Sequence, residues 1–249
     1  MSDFWTRLGL ARSLVIYHGQ FWKKRALTRF YRSLCQNGDL CFDIGAHVGN
    51  RSGALLAAGA SVVALEPQPA FHDFLRRFFR SKRFTLLNQA VASSPGTMTL
   101  RISSRHPTVT TLSSDWIGKV RDTDGFAGVS WDREAQVDVT TLDALIARFG
   151  RPRFCKIDVE GMEADILQGL SEPLDLVAFE YLPASLDIAE ACVARLDQLG
   201  RYRYNWTEAE DHRFRSADWL DGEALLEAVA ASAGKAGRSG DIYARLERV

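Results

Sequence analysis

Residues 40–67 read LCFDIGAHVGNRSGALLAAGASVVALEP, and this stretch decides the fold. It begins with a short apolar run of strand type, residues 40–44, which leads into the glycine turn of residues 45–49. An alanine-rich helix and a second β-branched run, residues 61–65, follow. The pattern predicts a βαβ unit of a doubly wound sheet, with the free amides of the helix facing a ligand.

Two acidic residues beside the glycine turn indicate which ligand this is. Glu66 ends the second strand twenty-three residues after Asp43, where doubly wound folds place a carboxylate on ribose hydroxyls. The three glycines of a dinucleotide fingerprint are absent, and an acid at the loop entrance suits a sulfonium cation better than a phosphate. The stretch therefore favours S-adenosylmethionine over a nicotinamide dinucleotide, while a βαβ unit without any ligand has the same spacing.

Length and composition limit the class of protein. The chain has 249 residues, of which 46% are hydrophobic, and this suffices for one large α/β domain. Its four cysteines lack metal-type spacing and are expected to be reduced core residues. The sequence shows no secretory leader and no apolar run long enough to cross a bilayer, so we expect a cytoplasmic protein.

Positive charge is concentrated at the N-terminus, although the formal net charge is zero. Residues 1–34 hold seven Lys or Arg against one acid, and their apolar residues have helical spacing. We expect an N-terminal helical segment, residues 1–36, followed by one domain, residues 37–249. The segment is either a cap packed on the domain or a weak contact with an anionic membrane surface. No basic cluster is expected in the rest of the chain, which argues against a nucleic-acid partner.

A third βα unit places polar residues near the predicted site. Residues 84–87 form a strand-like run, and Asn88, Gln89 and Ala90 follow at the edge where ligands of open α/β sheets bind. The two side-chain amides are candidates to hold an adenine edge, or they are ordinary turn residues.

The middle of the chain predicts an insertion and a lid. Residues 97–102 alternate as a strand, and residues 107–112 are the expected partner in an inserted hairpin. Residues 115–134 contain glycines and tryptophans without periodicity, which is typical of a long loop that closes over a substrate.

Acidic residues gather at the ends of two later strands. The strand-like run 154–159 contains Asp158 and is followed by Glu160 and Glu163, while Glu180 ends the next run. Carboxylates at the start of a helix can be caps, but this number exceeds what capping needs. The cluster predicts a functional role, such as that of a general base. Holding a divalent metal with substrate hydroxyls is the alternative, and we expect no metal.

Three blocks of sequence resemble the FkbM family of S-adenosylmethionine-dependent methyltransferases. They are FDIGAHVGNRS with ALEPQP, then NQAVASSPGTMTL, and then TTLDALIARFGRPRFCKIDVEGMEADILQGL, whose KIDVEGME core is specific to that family. The resemblance extends from about Asp39 to Leu182. It implies an α/β class I (Rossmann-like) methyltransferase fold, with a seven-stranded, mostly parallel sheet and helices on both faces, after the N-terminal helical segment.

The resemblance also implies an activity and site roles. The glycine turn would surround the methionine part of the S-adenosylmethionine cofactor, Glu66 would bind the ribose, and Asp158 would face the sulfonium and the incoming nucleophile. The reaction would be O-methylation of a hydroxyl on a sugar, glycan or natural product. The candidate catalytic residues are Asp158, Glu160 and Glu180. The candidate cofactor-binding residues are Asp43, Gly45, Ala46, His47, Gly49, Glu66, Pro67, Asn88, Gln89, Ala90 and Asp158.

Two other functions stay open at this level. A nicotinamide-dependent oxidoreductase is disfavoured by the missing third glycine. A non-catalytic scaffold at a membrane surface, with the same fold, would need a broken cofactor site, whereas Asp43, Glu66 and Asp158 are all present.

Overall fold

A computed structural model describes residues 21–236 and 238–247 of the chain. Ten strands are found in these ranges: β1 Leu40–Ile44, β2 Ser61–Leu65, β3 Phe84–Leu87, β4 Ala90–Val91, β5 Gly96–Ile102, β6 Arg133–Thr140, β7 Phe154–Ile157, β8 Leu176–Tyr181, β9 Tyr202–Trp206 and β10 Gly240–Leu246. The helices there are α1 Phe21–Leu34, α2 Asn50–Ala58, α3 Pro69–Phe78, α4 Ser114–Val120, α5 Leu142–Phe149, α6 Glu163–Gln168, α7 Leu186–Leu199 and α8 Gly222–Ala236.

Seven strands form the central sheet in the order β3-β2-β1-β7-β8-β10-β9. The neighbours from β3 to β8 pair in parallel, and β10 is antiparallel to both β8 and β9. The strands at the centre are apolar and buried because helices cover both faces of the sheet. The class I methyltransferase sheet expected from the sequence is confirmed.

A second sheet of three strands, in the order β4-β6-β5, follows the third βα unit. β5 pairs antiparallel with β6 along its whole length. The predicted hairpin partner, residues 107–112, was wrong: Pro107–Val109 forms a 3₁₀ turn, and only Thr111 bridges to Arg101. The physical reason is that Pro107 has no N–H for a ladder, whereas residues 133–140 alternate as a strand should.

Residues 115–134 form the predicted long loop only in part, because residues 121–132 are irregular apart from the 3₁₀ turn Asp124–Phe126. They begin within α4, whose N-cap is Ser113: the Ser113 side chain accepts a hydrogen bond from the Trp116 amide. Trp116 is buried, at 1% exposure, and its burial anchors the helix to the domain. The helix was not predicted because a serine cap and a buried indole stabilise it, while its sequence is too irregular to show periodicity; the role of the segment as a lid stays a prediction.

The described part of the N-terminal segment packs on the domain. α1 lies against α2 and buries Leu27, Phe30 and Tyr31. Residues 1–20 lie outside the described residues, so the division at residue 36 stays a prediction. The four cysteines are free and buried, as expected. Among the described helices, none combines the length and the apolar composition that crossing a membrane requires.

Candidate active site

A cavity of about 330 Å³ lies at the carboxyl ends of the parallel strands. Residues at the ends of β1, β2, β7 and β8 form its floor, and residues 107–112 contribute part of its wall. The volume is within the range of small-molecule sites, and the position is where open α/β sheets bind ligands.

The glycine turn after β1 approaches the loop after β7 very closely. Gly45 has a φ of 84°, and a β-carbon at this position would lie 1.9 Å from the carbonyl oxygen of Asp158. Only glycine fits here. Gly49 also has a positive φ, but a β-carbon there would collide with the ring of Phe79. Gly45 therefore lines the cavity. Gly49 does not line the cavity, and its lack of a side chain instead lets the start of α2 pack against Phe79.

The structure separates the predicted cofactor-binding residues into two groups. Those that line the cavity are Gly45, His47, Glu66, Pro67, Gln89, Ala90 and Asp158. Those that do not are Asp43, Ala46, Gly49 and Asn88. Asp43 is buried at 1% exposure and accepts a hydrogen bond from Ser52 Oγ at 2.5 Å, so it joins β1 to the start of α2. Burial raises its pKa.

Asn88 does not line the cavity but lies next to the backbone at the end of β2. With its side-chain nitrogen as donor, it lies 3.2 Å from the carbonyl oxygens of Glu66 and Pro67. In this orientation, one side-chain amide donates to two consecutive carbonyl oxygens and so fixes the backbone at the end of β2. Asn88 therefore contacts the backbone at the end of β2, and its assignment to the cofactor stays a prediction.

Glu66 is held rigidly at the end of β2. One carboxylate oxygen accepts a hydrogen bond from the His47 amide at 2.7 Å, and the other accepts from the Gln68 amide at 2.8 Å. Burial raises the pKa of Glu66 to about 7, although both amides act in the opposite direction. The remaining acceptor positions of this carboxylate suit a pair of ribose hydroxyls.

Three carboxylates meet on the opposite side of the cavity. Oxygens of Asp158, Glu160 and Glu180 lie within 4.8 Å of one another, and all three side chains are half-buried. Burial raises the pKa of Glu160 and Glu180 well above the usual value, and the neighbouring carboxylates raise both further. The sequence-predicted catalytic residues are thus brought together at one place.

Glu163 has a different role, because backbone amides occupy both oxygens of its carboxylate. It accepts hydrogen bonds from the amides of Val159 at 3.1 Å and Gly161 at 3.0 Å. Glu163 therefore fixes the turn after β7, as a capping residue does.

The turn that carries Glu160 is fixed from two sides. Glu160 has a left-handed backbone with a φ of 57°, and its carbonyl oxygen accepts a hydrogen bond from Thr111 Oγ1 at 2.6 Å. A β-carbon at Gly161 would lie 2.3 Å from the ring of Trp116. Contacts from outside the central sheet therefore hold this non-glycine residue in a conformation that costs free energy.

A buried ion pair lies beneath the acidic cluster. Lys156 is fully buried, and its Nζ atom is 3.2 Å from the carboxylate of Asp158 and 3.0 Å from that of Asp241. Burial alone would lower the pKa of Lys156, but the two carboxylates outweigh it and raise this pKa. Arg51 Nη2 lies 3.6 Å from the carboxylates of both Asp241 and Glu210.

Sequence reasoning missed several polar residues of the site, namely Asn50, Arg51, Gln68, Thr110, Lys156, Glu210 and Asp241. Lys156 had a signal, because a lysine inside an apolar strand must find buried counter-charges. Asp241 and Glu210 had none, because only the fold brings Asp241 beside Lys156 and Glu210 beside Arg51.

The lining of the cavity favours cations. Among its described residues, six carry carboxylates, and Arg51 is the one lysine or arginine. A concave site lined by one sign of charge concentrates ligands of the opposite sign.

The family model of the FkbM methyltransferase domain matches residues 43–225. The chain belongs to this family. The match begins at Asp43 and contains the glycine turn, Glu66, the acidic cluster and Lys156. Membership in the FkbM family confirms the resemblance seen in the sequence and makes the chain a methyltransferase whose cofactor is S-adenosylmethionine.

Three solved structures of methyltransferases are similar to this FkbM chain. A TehB-like SAM-dependent methyltransferase from Corynebacterium glutamicum is 10% identical, with a TM-score of 0.49, and the match covers 99% of this chain and 98% of that one. Precorrin-6y C5,15-methyltransferase from Geobacter metallireducens is 14% identical, with a TM-score of 0.48 and 90% and 87% covered. A putative O-methyltransferase from Klebsiella pneumoniae is 9% identical, with a TM-score of 0.48 and 96% and 90% covered. No curated protein matches the sequence.

The residues of the cavity fit this cofactor. A fixed carboxylate, Glu66, is available for the ribose, and Gly45 leaves bare backbone beside it. The excess of carboxylates suits the positive sulfonium and ammonium groups. The nicotinamide alternative is therefore set aside.

Proposed function

We propose that this protein methylates a hydroxyl oxygen on a sugar, glycan or natural product. The observation that supports this most is the cluster of Asp158, Glu160 and Glu180, whose carboxylates converge on the cavity. An alcohol must lose its proton during methylation, and a suitably placed base contributes about 10²- to 10⁴-fold. A polyol acceptor also offers several hydroxyls to neighbouring carboxylate oxygens.

The cofactor, when bound, supplies an electrophilic methyl group on a good leaving group. The task of the chain is then to hold the acceptor oxygen in line and to accept its proton. Glu66 and the amides beside it would bind and orient the nucleoside. Asp158, which Lys156 holds by an ion pair, would face the positive charge.

Glu160 and Glu180 are the proposed bases. Neither side chain has a hydrogen bond to the described protein, in contrast to Glu163, whose carboxylate accepts two from backbone amides. Burial and the neighbouring carboxylates raise the pKa of both groups, and a carboxylate with a raised pKa is a stronger base. Since adjacent carboxylates resist double ionisation, the pair would hold one proton: the ionised member accepts the hydroxyl proton, and the protonated member donates to a second acceptor oxygen.

The proposal is tested by an acceptor screen with S-adenosylmethionine labelled in its methyl group. We expect label to be transferred to a polyhydroxylated compound, with an O-methyl product by NMR. Transfer to nitrogen or carbon would contradict the proposal. Binding of S-adenosylhomocysteine without turnover of any acceptor would favour the scaffold alternative.

A further inference from the structure

The end of α3 and the turn to β3 form a strongly basic surface. Residues 76–83 contain Arg76, Arg77, Arg80, Lys82 and Arg83, and no Asp or Glu occurs between Asp73 and Asp115. All five side chains are exposed, and within the described residues only Arg76 forms an ion pair, with Asp73. The expectation that positive charge does not cluster beyond residue 34 was therefore wrong.

The same surface carries an exposed aromatic ring. Phe78 is 50% exposed, and no other large apolar side chain among residues 25–232 and 238–247 reaches comparable exposure. Its ring is 5.2 Å from that of Phe74 and 5.1 Å from that of Phe79, measured between centroids. An apolar side chain in the centre of a basic run is typical of surfaces that contact a lipid interface.

Helix α1 extends this surface. Arg32 donates a hydrogen bond to the carbonyl oxygen of Ala57, and Arg83 donates to those of Leu56 and Ala60. Both guanidinium groups thus meet at the C-terminal end of α2, where the helix dipole attracts positive charge. We call Arg32, Arg77, Phe78, Arg80, Lys82 and Arg83 together the basic face.

We propose that the basic face docks the protein on an anionic phospholipid bilayer. Each lysine or arginine near such a surface strengthens binding by about fivefold, so five of them suffice for reversible attachment. Phe78 would enter the headgroup region, where aromatic rings are favourable. Nucleic acid is the less fitting occupant, because the described rings pack on one another instead of forming a row on which bases stack.

The basic face and the cavity lie at opposite ends of the strands. β3 runs from Phe84, beside the basic face, to Leu87, which precedes the cavity residue Gln89. Four residues of strand separate these ends by about 13 Å. Docking would therefore leave the cavity open, and a docked molecule should bind S-adenosylhomocysteine as tightly as a free one.

The test uses the full chain and vesicles of phosphatidylcholine with or without phosphatidylglycerol. We expect sedimentation with the anionic vesicles only, and loss of binding at high salt because exposed charges are then screened. The variant Arg77→Gln/Arg80→Gln/Lys82→Gln should bind about 10²-fold more weakly, and Phe78→Ser should also weaken binding. A charge-matched control, Arg121→Gln/Arg148→Gln/Arg213→Gln, alters exposed residues elsewhere and should bind like the wild type.

Calorimetry with S-adenosylhomocysteine shows whether each variant is folded. Equal affinity for this ligand combined with lost vesicle binding supports the proposal. The proposal is overturned if the wild type ignores anionic vesicles, if it binds neutral vesicles equally, or if the triple variant still binds as tightly as the control. It is also overturned if single-stranded RNA binds at the basic face while vesicles do not.

Discussion

The Nζ atom of Lys156 lies 3.0 Å from the carboxylate of Asp241, which belongs to the last strand of the sheet. The same atom is 3.2 Å from Asp158, so one buried cation joins the proposed catalytic cluster to β10. Because Lys156 is fully buried, its charge is compensated by these neighbours and not by water. The ion pair therefore links the stability of the fold to the geometry of the site.

Lys156→Met should destabilise the protein by about 3–5 kcal/mol, because the buried carboxylate of Asp241 and the half-buried carboxylate of Asp158 lose their nearest cation. Urea unfolding measures this change. The double variant Lys156→Met/Asp241→Asn should recover part of the loss, since one uncompensated charge is removed. A single variant as stable as the wild type would contradict the importance of this ion pair.

Asp158→Asn should reduce turnover by about 10²-fold or more while the melting temperature changes little. Asparagine keeps the shape, and Lys156 retains Asp241 as its counter-charge. The matched control is Glu163→Gln, which should lower stability because Glu163 accepts two backbone hydrogen bonds, but should leave turnover within about tenfold. Full turnover in the Asp158 variant would show that the Asp158 carboxylate is not needed for the reaction, with Glu160 and Glu180 still the proposed bases.

Glu66 should make the affinity for S-adenosylhomocysteine dependent on pH. Its pKa of about 7 means that the carboxylate becomes protonated as the pH falls below neutrality, and a protonated carboxyl loses acceptor capacity toward ribose hydroxyls. Affinity should fall by up to about tenfold for each pH unit below this pKa. Glu66→Ala should weaken binding by about 1.5–3 kcal/mol and abolish this pH dependence. Calorimetry at several pH values measures both effects, and an unchanged affinity would remove Glu66 from the site.

The acidic cluster should make the fold less stable as the pH rises toward neutrality. The folded-state pKa of Glu180 is raised by burial and then by Glu160 and Asp158. A raised pKa means that the unfolded chain releases its proton first, so stability is lost from the unfolded-state pKa upward until the folded pKa is passed. Glu180→Gln should therefore melt at a higher temperature than the wild type at neutral pH, with a smaller difference in acid. Equal melting curves at every pH would show that Glu180 is not desolvated.

The parts of the fold that the sequence predicted are those with strong local patterns. Residues 40–67 combine apolar runs, glycines and an acid at fixed spacing, and the structure places β1, α2 and β2 there. Trp116 and Thr111 show the opposite case. Trp116 packs against Gly161, and Thr111 donates a hydrogen bond to Glu160, although both partners are far away in the chain. No local pattern therefore revealed that these two residues support the turn that carries Glu160.

The site shows the same division. The acidic residues of the site lie at or just after the ends of strand-like runs, namely Glu66, Asp158, Glu160 and Glu180. The topology of a parallel sheet brings such positions to one edge. Asp43 was assigned to the cofactor because it stands at the turn. Strand alternation instead directs its side chain to Ser52, in the first turn of α2. Arg51, Glu210 and Asp241 come together only through tertiary packing.

The position of β10 has a consequence for the synthesis of this protein on the ribosome. Among the described strands, β9 pairs only with β10, which leaves the exit tunnel after the other strands of this sheet. Until then, β9 has no partner strand in the sheet, and Lys156 lacks Asp241. A nascent chain that stops before residue 240 should therefore be sensitive to protease and unable to retain S-adenosylhomocysteine, although it already contains the glycine turn, Glu66 and all three acids of the cluster.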